Sequence, residues 1–281
     1  MKQTGLVALG VTVLALFLLS TIGRNGLLDR HFIYFPESHL TDNPLNGGLE
    51  YEDVYFRTAD GYKLHGWFIP GPSDFTLLWF HGNAGNIGHR VKNIELIHRN
   101  LGANILIFDY RGYGLSEGSP SEAGLYLDGE ASIDYLLKRQ HRDGAPEGIV
   151  LFGRSLGGAV AVKMASSHSV RAIILESSFT SISALREHVY PFLPDMVVKR
   201  LLEARYDSLS LMNILRAPLL VIHGDQDDSV PIEMGKKLYK AANVPKKFHT
   251  VKGADHNNTY IAGGVDYFLI MKKFIEQPSH R

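Results

Sequence analysis

The sequence predicts an α/β protein in which a mostly parallel sheet is covered by helices on both faces. Short apolar runs alternate with longer amphipathic stretches, a pattern typical of strands joined by helical crossovers. The apolar runs are residues 76–80, 104–108, 148–152, 171–175, 218–222 and 247–251, and the helix-like stretches are residues 87–100, 121–140, 156–167, 232–242 and 265–275. Ligands of such sheets bind beyond the carboxyl ends of the strands, so we expect any chemistry directly after these runs.

Two further strands precede this pattern. Residues 51–58 and 62–69 are rich in aromatic and β-branched side chains, and Asp60-Gly61 between them is a strong signal for a hairpin turn. At a length of 281 residues, α/β proteins often form one domain. We therefore assign residues 51–281 to one domain and residues 25–50, which are rich in Pro, Asn and Gly from residue 36 onward, to a linker.

The N-terminal residues differ from the rest of the chain, because residues 5–23 carry no charged side chain and are dominated by Leu, Val, Ala, Phe and Ile. At about 1.5 Å rise per residue, this run is just long enough to cross a hydrocarbon core of about 30 Å. Phe32, Tyr34 and Phe35 follow where an interfacial aromatic belt would lie. We interpret residues 1–24 as a single-pass membrane anchor or a cleaved signal peptide, with a buried helix as the alternative. The first two interpretations place the folded domain outside the cytoplasm.

The overall composition excludes several classes of function. Lys and Arg together number 29, as do Asp and Glu, so no net charge draws the chain to nucleic acid. The absence of cysteine excludes disulfides, thiolate metal sites and Cys nucleophiles. The sequence also lacks clustered His and carboxylate residues at metal-ligand spacing and a phosphate-binding glycine loop. We therefore expect no metal and no cofactor, and nothing in the sequence indicates an oligomeric state.

Residues 149–158 (IVLFGRSLGG) predict a strand, a tight turn and a helix, with Ser155 at the turn. Gly153 and Gly157 stand two positions either side, as in the pattern G-x-S-x-G, and their lack of a side chain lets strand and helix pass closely. The hydroxyl of Ser155 then projects above the sheet, and the amide of Leu156 faces the position of a substrate oxyanion. The alternative is a glycine-rich helix start that Ser155 merely caps.

Four segments in this order resemble the α/β-hydrolase superfamily, and more narrowly its membrane-anchored branch with little or no cap. They are residues 81–86 (HGNAGN), 108–114 (FDYRGYG), 153–157 (GRSLG) and 223–231 (HGDQDDSVP). The resemblance extends over residues 50–275. It implies the α/β-hydrolase fold with a small helical lid within residues 177–215. It also implies an activity like that of serine esterases, lipases or thioesterases, with prolyl oligopeptidases as distant relatives.

An activated serine needs a neighbouring base, and the base needs an acid that orients it. This fold orders them Ser, then Asp or Glu, then His along the chain. The family pattern selects His256, in the loop after the last apolar run, and Asp227 within H-G-x-x-D-x-x-V-P. Glu176 is the alternative acid, because some members of the superfamily place their acid after that earlier strand. His223 resembles the family's structural histidine.

The resemblance also implies an oxyanion hole formed by the backbone amides of Asn83 and Leu156, whereas the alternative for residues 81–83 is a plain turn. We interpret Asp109 and Arg111 as structural rather than catalytic, because a loop rich in polar side chains and glycine needs internal hydrogen bonds.

Together these residues predict a serine hydrolase that cleaves a carboxylic ester or thioester through an acyl-serine intermediate. The expected substrate is a small-molecule or lipid-like acyl compound, and a small lid favours a bulky or membrane-presented acyl group. A peptidase or an acyltransferase would use the same residues. A non-catalytic, membrane-tethered binding protein on the same scaffold is a third alternative.

Overall fold

The computed structural model of the protein describes residues 29–144, 148–189 and 202–277. Its strands are β1 (Phe35–Pro36), β2 (Glu52–Arg57), β3 (Lys63–Ile69), β4 (Phe75–Phe80), β5 (Ala84–Gly85), β6 (Asn104–Phe108), β7 (Gly148–Arg154), β8 (Ala172–Glu176), β9 (Leu219–Gly224) and β10 (Lys246–Val251). Its α-helices are α1 (Asp29–Phe32), α2 (Val91–Leu101), α3 (Glu122–Asp143), α4 (Leu156–Ser167), α5 (Ile182–Val189), α6 (Ser208–Leu211), α7 (Ile232–Ala241), α8 (Thr259–Ala262) and α9 (Gly264–Ile275). Short 3₁₀ helices lie at Pro44–Gly47, Ile87–Arg90 and Met212–Ile214.

One eight-stranded sheet forms the centre of the domain, in the order β10-β9-β8-β7-β4-β6-β3-β2. β2 and β3 form the predicted hairpin, with Glu52 opposite Phe68, and β3 also runs antiparallel to β6. The remaining neighbours in this sheet are parallel. Each predicted apolar run coincides with a strand to within two residues at either end. The predicted fold class is therefore confirmed.

The apolar runs are nearly continuous because the sheet is buried on both faces. Successive side chains of a strand point to opposite faces. In β4, Leu78 and Phe80 belong to one apolar cluster, and Leu77 and Trp79 belong to the other. Helices α3, α4 and α7 cover the first face, and α2 and α9 cover the second.

The described part of the predicted linker, residues 29–50, packs against the domain rather than lying free of it. β1 pairs in parallel with β5. Tyr34 is only 1% exposed and its hydroxyl lies 2.8 Å from that of Tyr206, so Tyr34 is not part of an aromatic belt, whereas Phe32 and Phe35 are exposed. The composition of residues 36–50 predicts a linker, but it does not reveal the long-range hydrogen bonds that join Glu37 and His39 to the loop at residues 85 and 86.

The predicted anchor at residues 1–24 and the middle of the predicted lid, residues 190–201, lie outside the described residues. Among the helices of residues 29–144, 148–189 and 202–277, none has the length and apolarity needed to span a bilayer. The described parts of the lid region contain the short helices α5 and α6.

Candidate active site

Ser155 occupies a sharp turn between the end of β7 and the start of α4. Its φ of 52° and ψ of −117° are a conformation that residues with side chains rarely adopt. A Cβ atom on Gly153 would lie 2.5 Å from the carbonyl oxygen of Gly157, and one on Gly157 would lie 2.0 Å from the carbonyl oxygen of Phe80. Glycine is therefore required at both positions, as the spacing of the motif predicts.

His256 lies in the loop between β10 and α8 and connects Ser155 to Asp227. Its Nε2 atom is 3.1 Å from Oγ of Ser155, and its Nδ1 atom is 2.8 Å from Oδ2 of Asp227. The side chain of His256 is 17% exposed, whereas that of Asp227 is fully buried. The structure thus brings together three residues that are far apart in the chain.

Asp227 is held as an anion. Its Oδ1 atom accepts hydrogen bonds from the amides of Ser229 at 3.0 Å and Val230 at 2.8 Å. Burial favours the neutral carboxyl, but hydrogen bonds from the imidazoles of His223 and His256 outweigh burial and hold the pKa of Asp227 below its ordinary value. Because a carboxylate only accepts hydrogen bonds, Nδ1 of His256 carries the proton, and the lone pair of Nε2 faces Ser155.

His223 has the structural position that its resemblance implies. It is fully buried at the end of β9, and its Nε2 atom lies 2.8 Å from the carbonyl oxygen of Val230. The same atom is 3.5 Å from Oδ2 of Asp227. His223 therefore supports the loop that carries Asp227 and does not contact Ser155.

Glu176, the alternative acid, does not orient His256. Its buried carboxylate accepts hydrogen bonds from the hydroxyls of Thr259, at 2.6 Å, and Tyr267. It also forms an ion pair with Arg154, whose Nε atom is 3.2 Å from Oε1. Asp227 is consequently the carboxylate that contacts the imidazole.

Arg154 is a residue of the site that the sequence motifs do not identify. Its Nη2 atom donates to the carbonyl oxygen of His256 at 2.7 Å and to Oδ1 of Asn257 at 3.1 Å. Its guanidinium thus joins the histidine loop to Glu176. The only signal in the sequence is a charged residue directly before Ser155, at the end of an apolar strand.

The two amides predicted to form an oxyanion hole have no hydrogen-bond acceptor among the described residues. Leu156 is the first residue of α4, so its amide has no partner within the helix. A Cβ atom on Gly82 would lie 3.7 Å from Cβ of Ser155, so the backbone of Gly82, the residue before Asn83, lies next to the serine. In the described part of the chain, neither the amide of Asn83 nor that of Leu156 donates a hydrogen bond.

Asp109 and Arg111 have structural contacts, as predicted. Arg111 donates to Asp128 and Asp60, with Nε at 2.8 Å from Oδ1 of Asp128 and Nη1 at 2.8 Å from Oδ2 of Asp60. Oδ1 of Asp109 accepts the amide of Ile87 at 3.0 Å. Burial raises the pKa of Asp109 to about 8, against the opposing effects of that hydrogen bond and a nearby arginine.

Comparison with known sequences gives relatives over most of the chain. A family model described as the α/β hydrolase fold matches residues 76–204. The protein bem46 of Schizosaccharomyces pombe is 32% identical over an alignment of 284 positions, which covers 99% of this chain and 93% of bem46. The α/β hydrolase domain-containing protein WAV2 of Arabidopsis thaliana is 34% identical over 252 residues, covering 83% of this chain and 81% of WAV2.

Comparison with solved structures gives the same fold. An esterase of Pyrococcus furiosus superimposes with a TM-score of 0.69 at 24% identity and covers 86% of this chain and 97% of its own. An α/β hydrolase of Vibrio vulnificus superimposes with a TM-score of 0.65 at 22% identity, covering 81% of this chain and 82% of its own. The sequence relatives and the shared fold lead to one conclusion: the chain belongs to the α/β-hydrolase superfamily.

Proposed function

We propose that the protein is a serine hydrolase that cleaves a carboxylic ester or thioester. Ser155 is the nucleophile, His256 the general base and Asp227 the acid that orients the base. The observation that carries the proposal is the continuous pair of hydrogen bonds from Asp227 through His256 to the hydroxyl of Ser155, at 2.8 Å and 3.1 Å. This arrangement turns a weakly nucleophilic hydroxyl into a reactive one.

In the acylation step, Nε2 of His256 takes the hydroxyl proton while Oγ of Ser155 attacks the acyl carbon. The bond from that carbon to the leaving oxygen or sulfur then breaks, and the imidazolium gives its proton to the leaving group. Asp227 stays ionised throughout, which its lowered pKa supports, and stabilises the imidazolium. Water repeats the sequence on the acyl-serine and releases the carboxylic acid.

The developing negative charge on the acyl oxygen needs donors that are in place before the reaction. The backbone amides of Asn83 and Leu156 serve as these donors in our proposal. Losing one such donor typically costs about 3–4 kcal/mol of transition-state stabilisation.

A substrate series tests the proposal. Esters and thioesters with acyl groups from acetyl to palmitoyl would be incubated with the wild type and with Ser155→Ala, and the enzyme would be followed by intact-mass spectrometry. We expect turnover and a transient acyl adduct in the wild type only. Equal rates in Ser155→Ala would contradict the assignment of the nucleophile.

The same series tests the other parts of the proposal. Turnover confined to short soluble esters would contradict the expectation of a bulky acyl group. Cleavage of peptides alone, or transfer of the acyl group to an added alcohol in preference to water, would favour a peptidase or an acyltransferase with the same three residues.

A further inference from the structure

We propose that the N-terminal strap, residues 29–39, positions the amide of Asn83 for catalysis. This inference rests on the proposed function, because it assigns to the strap the orientation of an oxyanion-hole donor. In this view, the segment that follows the predicted anchor belongs to the active site rather than serving only as a tether.

The strap forms direct hydrogen bonds with Asn83. The amide of Phe35 donates to the carbonyl oxygen of Asn83 at 3.0 Å, and Nδ2 of Asn83 donates to the carbonyl oxygen of Ile33 at 2.8 Å. The hydroxyl of Tyr113 donates to the same Asn83 oxygen at 2.8 Å. Two of these three hydrogen bonds join Asn83 to the strap.

The strap also forms hydrogen bonds with Gly85 and Asn86, which follow Asn83 in the chain. The amide of Glu37 donates to the carbonyl oxygen of Gly85 at 3.2 Å. Nδ2 of the buried Asn86 donates to the carbonyl oxygens of Glu37, at 3.0 Å, and His39, at 2.7 Å. Because these bonds use backbone groups of the strap, they fix the path of the loop whatever side chains the strap carries.

The N–H of Asn83 belongs to the peptide group that joins Gly82 to Asn83. The side chain of His81 fixes the carbonyl end of that group. Nδ1 of His81 lies 2.7 Å from the carbonyl oxygen of Gly82 and is therefore its donor. Burial lowers the pKa of His81 to about 3, which keeps the imidazole neutral. His81 thus fixes the carbonyl of Gly82, and the strap and Tyr113 fix the carbonyl of Asn83, so the peptide N–H between these two carbonyls has a defined direction.

The other end of the strap is anchored as well. Asp29 is 3% exposed and accepts hydrogen bonds from the amides of Glu203, at 3.0 Å, and Ala204, at 2.8 Å. The hydroxyls of Tyr34 and Tyr206 are 2.8 Å apart in the interior. The strap therefore extends from residues 203 and 204 to the loop that contains Asn83. The Tyr34–Tyr206 bond offers a control, because Tyr34→Phe removes that bond and leaves the bonds of Ile33 and Phe35 to Asn83 in place.

Variants that remove single bonds to Asn83 test the inference in the full-length protein. Asn83→Ala removes the bond to Ile33, Tyr113→Phe removes one donor to the Asn83 oxygen, and Phe35→Pro removes the other. Phe35→Ala keeps the N–H of residue 35, and Tyr34→Phe loses only the bond to Tyr206. For each variant, kcat and KM on one ester and the thermal midpoint Tm would be measured.

We expect Phe35→Pro to lower kcat at least about tenfold and to change KM less than about threefold. Complete removal of an oxyanion donor costs about a hundredfold or more in kcat, and a misdirected donor should cost part of that. Asn83→Ala and Tyr113→Phe should lower kcat in the same way but less. Phe35→Ala keeps the N–H of residue 35 and should lower kcat far less than Phe35→Pro does. Tyr34→Phe should lower Tm, with a smaller loss of kcat than Asn83→Ala. Should Phe35→Pro fail to fold, the Asn83 and Tyr113 variants decide the question.

Two results would overturn the inference while leaving the proposed function intact. One is wild-type kcat in folded variants that lack the bonds to Asn83. The other is an equal loss of kcat in Tyr34→Phe and Asn83→Ala, since this would mean that the strap acts only through general stability. A wild type without ester turnover and without a reactive Ser155 would instead remove the proposed function, and the role of the strap with it.

Discussion

At the scale of single residues, Ser155 has a backbone conformation that favours glycine. Its φ of 52° belongs to a region that costs a residue with a side chain about 1–3 kcal/mol. The amide of Ser155 donates to the carbonyl oxygen of Glu176 at 2.9 Å, and the amide of Gly158 donates to that of Ser155 at 3.0 Å, so the surrounding backbone holds the strained turn. This strained conformation presents the hydroxyl to His256 at the carboxyl ends of the strands.

Asp227→Asn is expected to keep the fold and to lower kcat by roughly 10⁴-fold, as in another Ser-His-Asp enzyme. Oδ1 of Asp227 accepts two backbone amides, so the carbonyl of an asparagine takes that place and its NH₂ group faces Nδ1 of His256. Nδ1 must then accept, the ring proton moves to Nε2, and the imidazole no longer accepts the proton of Ser155. Kinetics on one ester, with thermal unfolding as the check on the fold, measure the effect.

The matched control for this variant is Asp225→Asn. Asp225 lies on the same loop, is exposed, and accepts the amide of Gly253 at 2.6 Å rather than a proton of His256. Its substitution should leave kcat nearly unchanged. An Asp227→Asn protein with turnover close to the wild type would contradict the role of Asp227.

At the scale of structural elements, the loop that carries His256 and the two helices after it, α8 and α9, are attached to the ends of β7 and β8 by buried polar contacts. Arg154 at the end of β7 holds the carbonyl of His256, and Glu176 at the end of β8 accepts from Thr259 and Tyr267. Arg154 is 7% exposed and Glu176 is fully buried. A buried pair of this kind is costly to break, because the remaining charge has no water to solvate it.

Arg154→Met should lower the free energy of unfolding by roughly 3 kcal/mol, the lower end of the range for breaking a buried pair, because Glu176 keeps two hydroxyl donors. It should also lower kcat, since His256 loses a backbone contact. Urea denaturation and ester kinetics measure the two effects.

Arg171→Met is the control: Arg171 pairs with Asp74 at the surface, where ion pairs contribute about 0–1 kcal/mol. Equal stability losses in the two variants would refute this account.

At the scale of the whole molecule, the sheet brings the site together, and the sequence predicts this part well. The turns after β4, β7, β9 and β10 meet at one edge, because parallel strands place their carboxyl ends together. The apolar runs and the glycines around Ser155 are local signals that the sequence reveals directly, whereas Asp227 and His256 are selected by the resemblance to the α/β-hydrolase superfamily. The strap and the Arg154–Glu176 contact leave no such signal, because they depend on backbone groups and side chains that are distant in the chain.

The buried carboxyl of Asp109 makes the stability of the whole domain depend on pH. Burial raises its pKa from 3.8 to about 8 in the folded protein, whereas the unfolded chain ionises at the ordinary value. Between these values the folded state binds one proton more than the unfolded state, so this group's contribution to the free energy of unfolding falls as pH rises from about 4 to about 8. Asp109→Asn cannot ionise and lacks this dependence.

We therefore expect the difference in unfolding free energy between wild type and Asp109→Asn to move in favour of the variant as pH rises. Urea denaturation of both proteins at mildly acidic, neutral and mildly basic pH gives this difference directly. A difference that stays constant over this range would show that Asp109 is ionised in the folded protein.

The central claim is that Ser155 is an activated nucleophile, and labelling by a fluorophosphonate probe tests it most directly. The wild type would be compared with Ser155→Ala, His256→Ala and Asp227→Asn, all shown to be folded. We predict rapid labelling of the wild type, none in Ser155→Ala, and strongly reduced labelling in the other two. Equal labelling of Ser155→Ala, or a folded wild type that the probe does not label, would contradict the account.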